Sequence, residues 1–150
     1  MAQLIFKMPI NREVILPRLD DVSACLSKLK KIQKVPKEDF FSADSDYPDL
    51  VSFNLQKALE GLLSCGSHIL SRIKGAKFTE YATIAEQLVK FEILPASLKE
   101  VSIKMAKYRN RLVHFYHEVE NEELYQTLHH DISDLEDFAQ ALLKFISNNF

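Results

Sequence analysis

Apolar residues recur along four long stretches of the chain at the spacing that gives an α-helix one buried face. The first runs from about Glu13 to Gln33, where Val14, Leu19, Val22, Leu26, Leu29 and Ile32 form a stripe. Pro36, within Lys34-Val35-Pro36-Lys37-Glu38-Asp39, argues against continuation, because proline lacks the helical N–H and restricts the residue before it. A polar stretch from Ser42 to Asp49 follows, with Pro48 suited to a helix start. The second helix is expected from about Leu50 to Ile73, with Leu55, Leu59, Leu62, Leu63, Ile69, Leu70 and Ile73 as its core. Gly61 and Gly66 lie inside it, each costing about 1 kcal/mol against alanine, and such glycines usually mark close helix packing. Gly75 fits the C′ position that ends a helix.

A short helix capped near Thr79 carries Tyr81, Ile84, Leu88 and Phe91, and Pro95 then opens a third long helix from Ala96 to about His114. The last long helix has Asn121 as its N-cap, with Glu122 and Glu123 in the first turn where they suit the macrodipole. Its seam is Leu124, Leu128, Ile132, Leu135, Phe138, Leu142, Phe145 and Ile146. Four amphipathic helices on short links, plus one short extra helix, predict an all-α fold, an antiparallel four-helix up-and-down bundle.

Composition narrows this picture without changing it. A length of 150 residues suits a single domain over 1–150 with a real core, and 47% hydrophobic residues is ordinary for a globular chain. Three glycines and five prolines leave little material for the tight turns of an all-β fold. No run of about eighteen apolar residues offers a membrane span. The opening Met1–Lys7 lacks the features of a signal peptide, so a reducing cytoplasm is the expected location. Cys25 and Cys65 fall inside helical patterns and are expected as buried free thiols. No Cys/His zinc spacing is present, and neither a metal nor a cofactor is expected. A net charge of −2 gives no global pull toward nucleic acid, so any RNA contact needs a local patch.

Such a patch falls in the third long helix. There Leu98, Val101, Met105, Tyr108 and Leu112 make one apolar stripe, and Arg109 sits at its edge, where its guanidinium must reach water or an acceptor. Asn110 and His114, four apart, share another face, with Lys107 and Arg111 beside His114. Lys104, Lys107 and Arg111 form a cationic track able to hold RNA phosphates. Arg109 and His114 diverge by about 140° on a regular helix. They meet around one phosphate if the helix loosens near Val113, or if a symmetric partner brings its own copy into a shared cleft. A homodimer with the cleft across its interface is favoured, since it also accounts for apolar Val113 and Phe115 at the helix end. Histidine shuttles a proton near neutral pH, and arginine stabilises charge on phosphoryl oxygens. With RNA, that pair suffices for attack by a ribose 2′-OH on the adjacent phosphodiester without a metal.

The octet Arg109-Asn110-Arg111-Leu112-Val113-His114-Phe115-Tyr116 resembles the Arg-x4-His-x-Tyr motif of HepT toxins in the HEPN superfamily. The resemblance covers nearly the whole chain, since Leu55-Gln56-Lys57-Ala58-Leu59-Glu60 is similar to the family's second helix. It implies the toxin of a toxin–antitoxin pair, a dimeric, metal-independent endoribonuclease with Arg109 and His114 catalytic and Asn110 supporting them. It also implies a MntA-like nucleotidyltransferase antitoxin that transfers AMP to the tyrosine matching Tyr116.

Each residue has a plainer reading. Arg109 alone suits a cation paired with a neighbouring carboxylate, His114 a helix-end histidine, and Tyr116 a continuation of the core stripe. The pair His129-His130 with Asp131 and Asp134 hints at a metal, but adjacent helical histidines diverge, and solvated surface is expected. Glu118–Glu123 reads as a solvated helix start or a docking surface for a basic antitoxin, and Lys28-Leu29-Lys30-Lys31 as solvated surface, with RNA contact as its alternative. Two competitors remain for the whole chain: a non-catalytic HEPN subunit presenting substrate or nucleotide to a nucleotidyltransferase, and a plain interaction bundle. The intact Arg/His pair favours the enzyme.

Overall fold

In the computed structural model, which describes residues 4–149, the first helix opens on a cap that also ties it to a second. Asn11 Oδ1 accepts the Glu13 N–H at 3.1 Å, while the Asn11 N–H donates to His68 Nε2 at 3.1 Å. Of the opening stretch weighed for export, residues 1–3 lie outside those described. The helices are α1 (Arg12–Ile32), α2 (Lys37–Phe40), α3 (Tyr47–Ser71), α4 (Tyr81–Lys90), α5 (Lys99–His114), α6 (Asn121–His130) and α7 (Ile132–Asn149). The predicted all-α class is correct, and an isolated antiparallel bridge, Phe6 to Ile73, pins the N-terminal segment beside the end of α3.

The core forms where the stripes of α1, α3, α5, α6 and α7 converge, with Ile15, Leu29, Leu55, Leu59, Leu62 and Leu63 almost wholly covered. Two glycines of α3 set the approach distances. A Cβ on Gly61 would stand 2.5 Å from Cγ2 of Val22 in α1, and one on Gly66 would stand 2.7 Å from Cδ1 of Leu88 in α4. Cys25 and Cys65 are free and buried, as expected. The short α2, begun by Pro36, lays Phe40 against Tyr125 of α6 with ring centres 5.0 Å apart.

Several boundaries differ from expectation, each for a local reason. The last helix is two: α6 ends at His130, and α7 starts at Ile132 beyond Asp131, whose backbone has turned to φ −109°. The buried seam passes straight across that break from Leu124 and Leu128 to Ile132 and Leu135, so periodicity alone conceals it. Glu120, not Asn121, is the N-cap of α6, and no side chain caps it. Glu80 rather than Thr79 caps α4, in a reciprocal capping box with Thr83. Ala96–Leu98 forms a 3-10 turn, so α5 proper starts at Lys99. Gly75 does not end α3, whose C-cap is Arg72; at φ +91° it makes the turn beyond the bridge, a conformation that favours glycine.

Among the described residues no helix is long and apolar enough to cross a membrane. Replacing Gly61 with alanine should lose up to about 2 kcal/mol, because overpacking costs about 1–3 kcal/mol against a propensity gain near 1. Gly66→Ala should lose less, since the atom in the way is the end of a flexible leucine; urea unfolding that reverses this order contradicts the packing argument. Burial lifts the Cys65 thiol from 9.0 to about 11 and the Tyr108 phenol from 10.0 to about 12. Both groups hold their protons more tightly in the folded chain than in the unfolded one. The stability they contribute is therefore whole below about pH 9 and lost as pH rises through 11 and 12. Urea midpoints should fall over that range, and Cys65→Ala should flatten the first part of the decline.

Candidate active site

Helix α5 turns Met105, Tyr108 and Leu112 into the core, and that choice puts Arg109 at the margin of the buried surface. Its side chain is only 15% exposed. A guanidinium so covered needs an acceptor, and α3 supplies one: Nη2 donates to Glu60 Oε1 at 3.1 Å. Nη1 donates to Asn110 Oδ1 at 3.1 Å, and the guanidinium carbon lies 4.5 Å from the ring centre of Tyr81, the first residue of α4. Gln56 Nε2 donates to the same Glu60 oxygen at 3.4 Å. Arg109 Nε is buried with no hydrogen-bond partner. Arg109 thus ties three helices together.

Sequence reasoning singled out Arg109 and Asn110 but missed Glu60 and Tyr81. The signal for Glu60 was present: an arginine at a stripe edge demands an acceptor, and Glu60 lies in the α3 stretch already set apart. Nothing local pointed to Tyr81. Asn110 is exposed, at the rim of a hollow of about 360 Å³ lined by Phe78, Thr79, Glu80, Tyr81 and Ile84.

His114 is the last residue of α5 and is exposed. The loosening considered near Val113 does not occur: α5 stays helical through His114, and the Phe115 N–H still reaches the Arg111 carbonyl at 2.9 Å. The break comes one residue later, at Phe115 (φ −135°, ψ 36°), and a 3-10 turn over Tyr116–Glu118 returns the chain to the core at buried Val119. Val113 is half-buried rather than exposed, whereas Phe115 is 50% exposed. Tyr116 does not continue the core stripe; it is 69% exposed, its ring edge-on to His117 at 5.7 Å.

A regular α5 has two working sides. At about 100° per residue, His114 falls about 20° from Lys107 and 60° from Arg111, while Arg109 faces about 140° away. Lys104, Lys107 and Arg111 do share one groove, about 750 Å³, between α5 and α6. It is not a bare cationic track, however. Arg111 Nη1 meets Glu123 Oε1 at 2.7 Å, and Lys104 Nζ meets Asp131 Oδ2 at 3.6 Å. The Glu123 hydrogen bond raises the Arg111 pKa above its ordinary value. Among the described residues Lys107 has no ion pair. Glu123 is thus more than a solvated helix start.

The histidine pair of α6 also resolves. His130 Nδ1 is 2.9 Å from the Gln126 carbonyl, and His129 is half-buried edge-on to Tyr125 at 4.2 Å, where burial lowers its pKa. Among the described residues no group of three or more His, Cys, Asp or Glu is arranged to hold a metal ion.

A model of the family described as ribonuclease HepT-like matches residues 22–142, which include the octet, Glu60 and Tyr81. The chain belongs to the HepT-like family. The resemblance carried by the octet is therefore correct at the level of family. A HepT-like relative, the tRNA nuclease HepT of Aphanizomenon flos-aquae (strain 2012/KM1/D3), is 27% identical over 120 residues, covering 79% of this chain and 80% of that protein. Two solved structures share the HepT-like fold. The cytosolic protein YutE of Bacillus subtilis has a TM-score of 0.81 at 17% identity, covering 97% of this chain and 96% of that one. The tri-AMPylated HEPN toxin of Shewanella oneidensis, solved in complex with its MNT antitoxin, has a TM-score of 0.70 at 20% identity, covering 87% and 97%.

Proposed function

We propose that this HepT-like protein is the toxin of a toxin–antitoxin pair and acts as a metal-independent endoribonuclease on single-stranded RNA or tRNA. The observation that carries the reading is the restrained Arg109 guanidinium on the same helix as an exposed His114 imidazole, within the family's octet. The ribose 2′-OH attacks the adjacent phosphorus and loses its proton to a histidine. The bond to the 5′-oxygen breaks, and a histidine returns a proton to that leaving oxygen. Arg109 stabilises the charge that builds on the non-bridging oxygens, with Asn110 holding its Nη1. The products are a 2′,3′-cyclic phosphate and a 5′-OH.

Because α5 is regular between Arg109 and His114, the cleft in this reading is completed by a second copy of the chain. The exposed rings of Phe53 and Phe115 offer apolar surface for such a homodimer. RNA phosphates follow the groove of Lys104, Lys107 and Arg111, displacing Glu123 and Asp131 from the cations they now hold.

The proposed partner is a nucleotidyltransferase antitoxin that adenylylates Tyr116. The phenolic oxygen attacks the α-phosphorus of ATP, loses its proton, and pyrophosphate leaves. The exposure of Tyr116 supports this, as does the AMPylated state of the Shewanella toxin beside its antitoxin. A phosphodiester on Tyr116, two residues from His114, adds bulk and negative charge where RNA phosphate must lie.

Expression of the free protein should arrest growth, and Arg109→Ala and His114→Ala should each relieve the arrest and slow RNA cleavage by about 10²–10⁴-fold. Cleavage by the wild type should persist in EDTA and leave cyclic phosphate ends. Arrest that survives both substitutions contradicts the catalytic assignment of Arg109 and His114, and cleavage abolished by chelation contradicts the metal-free mechanism. After co-expression with the nucleotidyltransferase, intact-mass analysis should show whole AMP increments that vanish in Tyr116→Phe. Full neutralisation with an unchanged mass would mean steric inhibition instead.

A further inference from the structure

An arginine side chain carries about 2 kcal/mol of rotamer entropy, so a guanidinium that must be aimed at a transition state gains from being held beforehand. At Arg109 the holding group is not on its own helix. Glu60 projects from the middle of α3, where the Gly61–Val22 contact presses that helix against α1, and Gln56 shares its Oε1. Tyr81 backs the flat face of the guanidinium from α4. Of the five N–H donors, one on Nη2 is taken by Glu60, one on Nη1 by Asn110, and Nε is buried. One N–H on each terminal nitrogen is left for a phosphate oxygen.

We propose that Glu60 is the positioning residue for Arg109, fixing one edge of its guanidinium against Tyr81 so that the remaining terminal N–H groups face the scissile phosphate. The proposal rests on the reading of Arg109 as the group that touches the phosphodiester. Glu60 itself contacts no RNA. Its carboxylate acts by orientation, and its side chain, 39% exposed, is screened enough by water to leave the arginine an effective cation.

The test uses the full chain with a tRNA substrate. Glu60→Ala should lower kcat by about ten- to a hundredfold with KM changed less than about twofold, the signature of a misplaced transition-state contact. Glu60→Gln keeps the acceptor oxygen and should recover part of that loss. In an Arg109→Ala background, adding Glu60→Ala should slow residual cleavage no further. NMR of the Arg109 guanidinium should show its Nε–H less ordered in Glu60→Gln than in the wild type, a readout that needs no cleavage. Wild-type kcat in Glu60→Ala, faster cutting, a further loss in the Arg109→Ala background, or an unchanged Arg109 order parameter would each overturn the proposal. Arg109→Ala cutting at the wild-type rate would instead overturn the reading of Arg109 as the group that touches the phosphodiester, while the NMR arm would still report whether Glu60 holds the arginine.

Discussion

A guanidinium that is only 15% exposed is costly to bury without an acceptor, and the Arg109–Glu60 pair that meets this constraint links α5 to α3. Its net worth to stability is small, since Glu60 remains 39% exposed and water screens the attraction. Its consequence is geometric. Glu60 reaches Arg109 because α3 is closely packed, and α3 packs closely because Gly61 and Gly66 carry no Cβ where Val22 and Leu88 intrude. Tyr81 reaches the same guanidinium because the Glu80–Thr83 capping box starts α4 at that residue. The candidate catalytic arginine is thus set by core packing two helices away.

The second constraint is the regularity of α5. A helix that holds its hydrogen bonds through His114 sends Arg109 toward α3 and α4 and turns His114 toward the side of the cationic groove. For the proposed catalytic pair, these two directions conflict in one chain and would agree across two. The turn after Phe115 then has a clear effect: it leaves Phe115 and Tyr116 in solvent while Val119 re-enters the core. A tyrosine placed there is open to modification, which one continuing the core stripe would not be.

What was legible in the sequence follows from how far each interaction reaches along the chain. The stripes of α1, α3 and α5 are local, and most of their buried faces were readable, as were the close approaches at Gly61 and Gly66, although Ile15 rather than Val14 enters the core and Val101 is only half-buried. The break at Asp131 was not, because Leu128, Ile132 and Leu135 keep helical spacing across it and no proline or glycine marks it. The octet marked Arg109, Asn110, His114 and Tyr116 by resemblance, but their geometry depends on partners far away in sequence. Glu60 is 49 residues from Arg109, and no periodicity links the two. The plainer reading of Tyr116 as core fails for a related reason: spacing continues a stripe only while the helix continues, and the helix ends at His114, two residues before it.

The groove between α5 and α6 sharpens the electrostatic argument. Lys104 and Arg111 already hold Asp131 and Glu123, so binding a phosphate there exchanges one anion for another instead of filling an empty site. The Arg111–Glu123 pair is substantially exposed and weak, which makes exchange there inexpensive but limits its gain, whereas the Asp131 side chain is only 13% exposed and costs more to strip of its cation. Affinity for RNA would then depend on several phosphates engaging together, with a steep response to salt. Such a surface suits a chain with a net charge of −2, which has no global attraction to nucleic acid, and in the proposed dimer a second copy would double the number of cations that one RNA meets.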